Sequence, residues 1–126
     1  MEAQDLGKTS TGMQANVAGL LSYVVGWVTG LIFFLIEKEN KFVQFHAMQS
    51  MVVFGGLFVL NIVMTVFMGI LAAVSLGLLI PLFSLVNSLM MLAGLILWIL
   101  LMVKAHQGEK FKLPVVGDIA EKNIEK

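Results

Sequence analysis

The chain has 126 residues, of which 59% are hydrophobic and 13% are charged, and its mean hydropathy is +0.94. This composition lies outside the range of soluble globular domains and predicts an integral membrane protein. Eight lysines balance eight acids, so no basic surface for nucleic acid is expected. Cysteine is absent, which excludes disulfides and thiolate metal sites.

The charges fall in a few short segments and leave two long uncharged stretches between them. Residues 17–36 have the length that a helix needs to cross about 30 Å of hydrocarbon. Residues 51–103 would form a helix about 80 Å long, which is enough for two crossings. Gly77 and Pro81 predict the break between these two crossings. The sequence therefore predicts three spans, at about 17–36, 48–74 and 82–103.

The predicted fold is an all-α integral membrane bundle of three transmembrane helices, with an interfacial helix leading into the second span. Residues 1–16 form a polar N-terminal tail, residues 17–104 the membrane domain and residues 105–126 a C-terminal tail. The spacing of Asp118 and Glu121 is that of a capping box and predicts a short surface helix from 119 to about 125. Lysines near the span ends gather after the first and third spans, which by the positive-inside bias predicts an external N-terminus and a cytoplasmic C-terminus in the cell membrane.

Small residues recur every four positions in the first predicted span, at Ala18, Ser22, Gly26 and Gly30. In one helix they would form a ridge that lets another helix approach closely. Packing within the bundle and homodimerisation both remain open. Gly69, Ala73 and Gly77 repeat this spacing in the second span.

Uncharged polar residues within the second and third spans are few. An amide in hydrocarbon needs a protein partner, so Asn61 and Asn87 are expected to face the interior and to hydrogen-bond across helices. These residues either stabilise helix packing through hydrogen bonds or line a substrate path. The set comprises Asn61, Thr65, Ser84, Asn87 and Ser88.

The densest polar segment, residues 37–50, leads into the second span. Asn40 is a suitable helix N-cap, and a helix from there places His46, Gln49 and Ser50 on one face. His46 is interpreted as a hydrogen-bonded structural residue, with metal binding, proton donation and pH sensing as open alternatives. No metal and no cofactor are expected. The interaction candidates in this segment are Glu37, Lys38, Asn40, Phe45, His46, Gln49 and Ser50.

Several short motifs carry a resemblance to a known family. They are Leu20-Leu21-Ser22-Tyr23, residues 36–43, Phe45-His46-Ala47-Met48-Gln49-Ser50, residues 104–109 and a tail motif with Pro114, Gly117 and Asp118. The chain resembles small prokaryotic membrane proteins of unknown function that are related to the twenty-kilodalton membrane component of the plastid inner-envelope protein import machinery (Tic-twenty-like). The resemblance implies a multi-helix inner-membrane protein, with a role in assembly or translocation.

Three functions follow as hypotheses. The first is a non-enzymatic scaffold or interaction subunit, accessory to protein translocation or membrane assembly, with a membrane-protein partner or a second copy of itself. The alternative is a small transporter or channel subunit lined by the intramembrane amides. The third is an interfacial enzyme that uses His46 with Glu37 or Glu39. We recognise no catalytic motif in the sequence that would support this last hypothesis.

Overall fold

A computed structural model describes residues 6–124, so the first five and last two residues of the predicted tails lie outside the described part. The described residues form five α-helices and one 3-10 turn, Gly77–Leu79. The helices are α1 (Ala15–Val24), α2 (Trp27–Ile36), α3 (Lys41–Ala73), α4 (Ile80–His106) and α5 (Val116–Ile124).

Helices α3 and α4 form an antiparallel pair, joined by the short turn. Both are long and apolar enough to cross a membrane, and few of their side chains are buried within the chain. The rings of Phe67 and Phe83 meet edge to face at 5.0 Å near the turn, and Pro81 lies in the first turn of α4, where proline is tolerated. The predicted break is therefore confirmed, and the predicted interfacial helix and the second span form one continuous helix from Lys41.

The first apolar run is two helices rather than one, so the predicted span at 17–36 is not confirmed. Gly26 interrupts it with φ of 62°, a left-handed conformation that glycine adopts without a steric penalty. On either side of this break, α1 and α2 pack against the same part of α3. Ala18 of α1 and Phe33 of α2 share one buried cluster with Val43, so α2 runs back alongside α1. The run is a re-entrant hairpin.

The two ends of the hairpin lie side by side. The Asn40 side chain, just after α2, donates to the carbonyl oxygens of Leu6 and Lys8, just before α1 (2.8 and 3.0 Å). The Asn16 amide at the start of α1 donates to the carbonyl oxygen of His106 at the end of α4 (2.9 Å). The N-terminal segment and the C-terminal tail therefore lie at one end of the bundle. This placement does not agree with the predicted three-span arrangement, which separates the two segments by the length of the bundle.

The C-terminal tail folds back onto the first turns of α3. Ala120 and Ile124 of α5 pack against Phe45, and the Lys41 ammonium donates to the Ile124 carbonyl oxygen (2.9 Å). We use the name cap for three parts together: the α1–α2 hairpin, the tail from Gln107 to Ile124 and the part of α3 that these two segments cover. Seven lysines lie at this charged end: Lys8, Lys38, Lys41, Lys104, Lys110, Lys112 and Lys122.

The predicted ridge of small residues is divided between the two hairpin helices. A Cβ on Gly30 would lie 2.8 Å from the Ala47 carbonyl oxygen, and one on Gly26 would touch Phe54, so both glycines serve close packing within the chain. The second predicted stripe differs. A Cβ on Gly69 would meet nothing within 4 Å, and Ala73 is exposed.

The hairpin fold predicts a topology that labelling can check. Because the chain has no cysteine, Ser10→Cys, Asp118→Cys and Leu78→Cys each provide a unique thiol. We expect an impermeant maleimide to label Ser10→Cys and Asp118→Cys from the same side of sealed membrane vesicles, and Leu78→Cys from the other. Labelling of Ser10→Cys and Asp118→Cys from opposite sides would restore the three-span topology.

Candidate functional site

At the turn of the hairpin, side chains add hydrogen bonds to the backbone, and the Val25 amide donates to the Thr29 hydroxyl (3.1 Å). The Trp98 indole donates to the Tyr23 carbonyl oxygen (2.6 Å), and the Ser50 hydroxyl donates to the Gly26 carbonyl oxygen (2.8 Å). The Thr29 hydroxyl donates to the same oxygen of Gly26 (3.3 Å). The same two carbonyl oxygens also accept from the backbone amides of Gly26 (2.9 Å) and Gly30 (3.2 Å), so the side chains reinforce the turn and fix it to α3 and α4.

A buried polar network lies below this turn, where α1, α3 and the tail meet. The Tyr23 hydroxyl lies 2.6 Å from Nδ1 of His46, and the Gln49 amide donates to that hydroxyl (3.0 Å). Nε2 of His46 faces the Glu109 carbonyl oxygen (2.9 Å), which can only accept. This arrangement fits a neutral imidazole with its proton on Nε2 and with Tyr23 donating to Nδ1.

The same network binds the backbone of the tail. Gln49 donates from its amide nitrogen to the Phe111 carbonyl oxygen (2.9 Å) and accepts from the Leu113 amide at Oε1 (3.1 Å). With the bond from His46 to Glu109, alternate residues of an extended segment are held by α3. His46 and Gln49 thus form a binding site for a peptide backbone, and the tail of the same chain occupies this site.

His46 has no exposed surface and is enclosed by aromatic rings. The rings of Tyr23, Phe42 and Phe45 all meet it edge to face, with centroids at 5.4, 4.6 and 5.2 Å. Glu109 contributes its carbonyl oxygen to His46, while the Glu109 carboxylate pairs with Lys104 (3.4 Å). Within residues 6–124, no three histidine, aspartate or glutamate residues come together as metal ligands would. His46 holds the cap together.

A second polar centre joins the hairpin ends. The Glu37 side chain is fully buried, and its Oε2 accepts from the backbone amides of Ser10 (2.8 Å), Asn40 (3.0 Å) and Glu39 (3.1 Å). Burial raises the pKa of this carboxyl, but the hydrogen bonds from Ser10, Asn40 and Glu39 outweigh it and hold the pKa below its usual range. We call this arrangement the Glu37 clamp.

Asn40 and Lys38 complete the clamp. The Asn40 side chain accepts from the Val43 amide (3.1 Å), which confirms it as the N-cap of α3. The Lys38 amide donates to the Ser10 hydroxyl (2.9 Å), while the Lys38 side chain is exposed.

The tail motif shapes the return of the chain. A Cβ on Gly117 would lie 2.6 Å from that of Lys112, so only glycine fits at this crossing. Asp118 pairs with Lys112 (3.1 Å), and Glu121 pairs with Lys110 (2.6 Å). These ion pairs are exposed, so solvent screens them and they contribute little to the stability of the fold. Pro114 lies exposed at the tip of the loop.

The intramembrane polar residues lie outside the cap, and the structure brings one pair together. The Asn61 amide donates to the Asn87 side-chain oxygen (3.2 Å), as expected for a bond between helices. The Thr65 hydroxyl donates to the Asn61 carbonyl oxygen of its own helix (2.9 Å). Ser84 and Ser88 are exposed on α4.

Sequence reasoning missed the residues through which distant segments meet. Tyr23, Trp98 and Ser10 were not among the predicted site residues, although each bonds a segment far away along the chain. Tyr23 is the only tyrosine of the chain, and a single phenol within an apolar run could have suggested a buried partner for its hydroxyl.

The network predicts that removing only the Tyr23 hydroxyl lowers the free energy of unfolding. In Tyr23→Phe the ring still fits, but Nδ1 of buried His46 loses its partner and the Gln49 amide loses one of its two acceptors, so we expect a loss of about 1–3 kcal/mol. Unfolding in mixed detergent micelles would measure it. Ser22→Ala is the matched control, because Ser22 is equally buried but bonds only the Ala18 carbonyl of its own helix (2.9 Å). A loss below about 0.5 kcal/mol is expected for this control, and equal losses would contradict the network's role.

The Glu37 clamp predicts an acid dependence. A carboxyl with a depressed pKa stabilises the fold above its unfolded pKa of about 4.3, and this contribution disappears as the pH falls through the folded value. Amide exchange at Ser10 and Asn40 should therefore accelerate in acid. Glu37→Gln should accelerate it already at neutral pH, at a cost of about 1–3 kcal/mol to docking of the N-terminal segment. Glu39→Gln, which alters an exposed neighbour, should leave the exchange unchanged, and a similar effect of both variants would refute the clamp.

Comparison with known proteins places the chain in a family. Residues 8–120 match the model of the magnetosome magnetite crystal formation protein family. Two UPF0132 membrane proteins of Methanocaldococcus jannaschii are 48% and 41% identical to the chain, covering 92% and 88% of it and 94% and 71% of their own lengths. One from Archaeoglobus fulgidus is 46% identical, covering 89% of the chain and 97% of its own length.

No solved structure matches the chain. None of these relatives is named as a plastid import component, so the Tic-twenty-like part of the resemblance has no support in them. The names of the relatives and the two long apolar helices agree on a membrane protein. The chain is a membrane protein and belongs to the magnetosome magnetite crystal formation protein family, together with archaeal UPF0132 membrane proteins.

Proposed function

We propose that the protein is a non-enzymatic scaffold or interaction subunit of the cell membrane, which associates with a second copy of itself or with another membrane protein. The observation that carries this proposal is a stripe of small residues on α3, Thr65, Gly69 and Ala73, that faces away from the rest of the chain. Their spacing of four residues places them on one face of the helix.

Small residues on a lipid-facing helix favour contact with another helix. Hydrocarbon gives no hydrophobic drive for association, so membrane helices associate where small side chains allow close packing. Gly30 and Gly26 use this principle inside the chain, whereas nothing lies within 4 Å of a Cβ on Gly69. The Thr65 hydroxyl is satisfied by its own helix, which leaves the stripe free of an unmet polar group.

The cap supports a structural role. The polar groups of Tyr23, His46 and Gln49 bind each other and the backbone of the tail, so they are committed to holding the fold. The transporter and enzyme hypotheses remain untested predictions.

We further propose that the charged end faces the cytoplasm. Seven lysines lie there, while the connection from Val74 to Leu79 at the other end carries no charge. The positive-inside bias favours a cytoplasmic position for the described N-terminal segment and the described C-terminal tail.

The family description concerns magnetite crystals in magnetosomes, and we take from it only the membrane setting. Glu109, Asp118 and Glu121 are paired with lysines of the same chain, which does not favour a free acidic surface for a mineral.

Disulfide trapping in native membranes tests the self-association form of the proposal. Thr65→Cys and Ala73→Cys should form covalent dimers on mild oxidation, because residues near the axis of a symmetric dimer meet their own copies. Val63→Cys is the control, since a position two residues away points to the opposite side of a helix and Val63 is also exposed. Adding Gly69→Leu should abolish the dimer without unfolding the chain, because the site has open space.

A photoreactive residue at position 69 tests the other form of the proposal. An adduct with a specific membrane protein, lost in the presence of Thr65→Leu, would support an interaction subunit. Equal disulfide yields at positions 65 and 63, together with no specific adduct, would refute both forms.

A further inference from the structure

The two halves of the molecule differ in width. Beyond the Asn61–Asn87 bond, only α3 and α4 continue toward the turn at Gly77. At the charged end, α1 packs on both α3 and α4, α2 packs on α3, and the tail covers α3 as well. A helix with its side chains is about 10 Å across, so two extra helices add roughly 160 Å² of cross-section at this end, before the tail is counted.

The hairpin occupies the depth of one leaflet. Helix α2 has 10 residues and is therefore about 15 Å long, half of a hydrocarbon core of about 30 Å. Its outer face is an apolar stripe of exposed residues with helical spacing: Val28, Leu31, Ile32, Leu35 and Ile36. Such a face suits lipid along its whole length. The hairpin tip reaches Trp98, six residues or about 9 Å along α4 from Lys104.

The loop of the tail reaches a similar depth. Pro114 and Val116 line one groove with Val53 of α3 and Leu97 of α4. Leu97 is seven residues, or about 10 Å, along α4 from Lys104. Two segments therefore extend from the charged end toward the middle of the bundle. One is the hairpin and the other is this loop.

Val115 at the tip of the loop is unusual in water but suited to lipid. It is 70% exposed and has φ of 66°, a left-handed conformation that is strained for a β-branched residue. Asparagine or glycine would relieve this strain. Transfer of a valine side chain from water to hydrocarbon is favourable, which gives a physical reason for an apolar residue here.

We propose that the cap makes the protein a wedge, with the hairpin and the Val115 tip inserted into the leaflet at the charged end, so that the protein prefers membranes in which that leaflet is convex. On a convex surface the headgroup region of the leaflet is spread, and shallow apolar insertions occupy the gaps between lipids. The wider half of the molecule fills this space. This inference does not depend on self-association.

The test uses the full chain and lipid alone. Small and large vesicles of one phosphatidylcholine–phosphatidylglycerol mixture, distinguished by fluorescent lipids, receive the protein in one competitive reconstitution. We expect molecules with the charged end outward to be severalfold denser in small vesicles. Equal density in both sizes, or enrichment with the charged end inward, would overturn the proposal. A protein partner cannot produce the enrichment, since none is present.

Matched variants separate insertion from folding. Val25 is the exposed residue at the hairpin tip, 59% exposed. The double variant Val25→Asn/Val115→Asn should lose most of the enrichment, while its helicity by circular dichroism stays that of the parent. Leu78→Asn changes an apolar residue that is 92% exposed at the opposite end and should keep the enrichment. Equal enrichment in the double variant and the parent would overturn the role of the tips.

A direct measurement of depth completes the test. A fluorophore on Val115→Cys should be quenched by lipids that carry a quencher in the acyl chain, more strongly than one on Asp118→Cys in the adjacent helix. Equal quenching at the two positions would show that the loop does not insert.

Discussion

A backbone that turns inside hydrocarbon must find its hydrogen-bond partners within the protein. The hairpin meets this constraint at its turn, where the carbonyl oxygens of Tyr23 and Gly26 accept both backbone and side-chain hydrogen bonds. Trp98 from α4 and Ser50 from α3 donate to those groups, and Thr29 closes the turn from the hairpin itself. The hairpin is thus fixed to both long helices at its deepest point.

The remaining organisation of the cap follows from that attachment. With the hairpin tip held against α3, Tyr23 is placed beside His46 and Gln49, whose free groups then bind the returning tail. At the other end of the hairpin, the Glu37 clamp ties the N-terminal segment to the start of α3. Each buried polar centre therefore joins segments that are distant in sequence, which concentrates the long-range contacts of the chain at its charged end.

The sequence by itself determined the class of protein and several local features. Composition and the two uncharged stretches identified a membrane protein, because charges are costly in hydrocarbon wherever they fall. The turn near Gly77 and Pro81, the N-cap at Asn40 and the Asn61–Asn87 bond were also predictable, since backbone chemistry or an unmet amide decides them locally. The family could be placed only as far as membrane proteins of unknown function.

Only the tertiary structure decided how the first apolar run is used. Its 20 residues suit a span by length and hydropathy, and neither quantity contains the donors from Ser50 and Trp98 that make a break at Gly26 tolerable. In the same fold, the N-terminal segment lies at the charged end of the bundle, where the tail also lies. The small-residue ridge was divided for the same reason: Gly30 packs on α3 from a returning helix, whereas Gly69 stays open. Hydropathy measures preference for lipid, but the path through it is set by partners far away in the sequence.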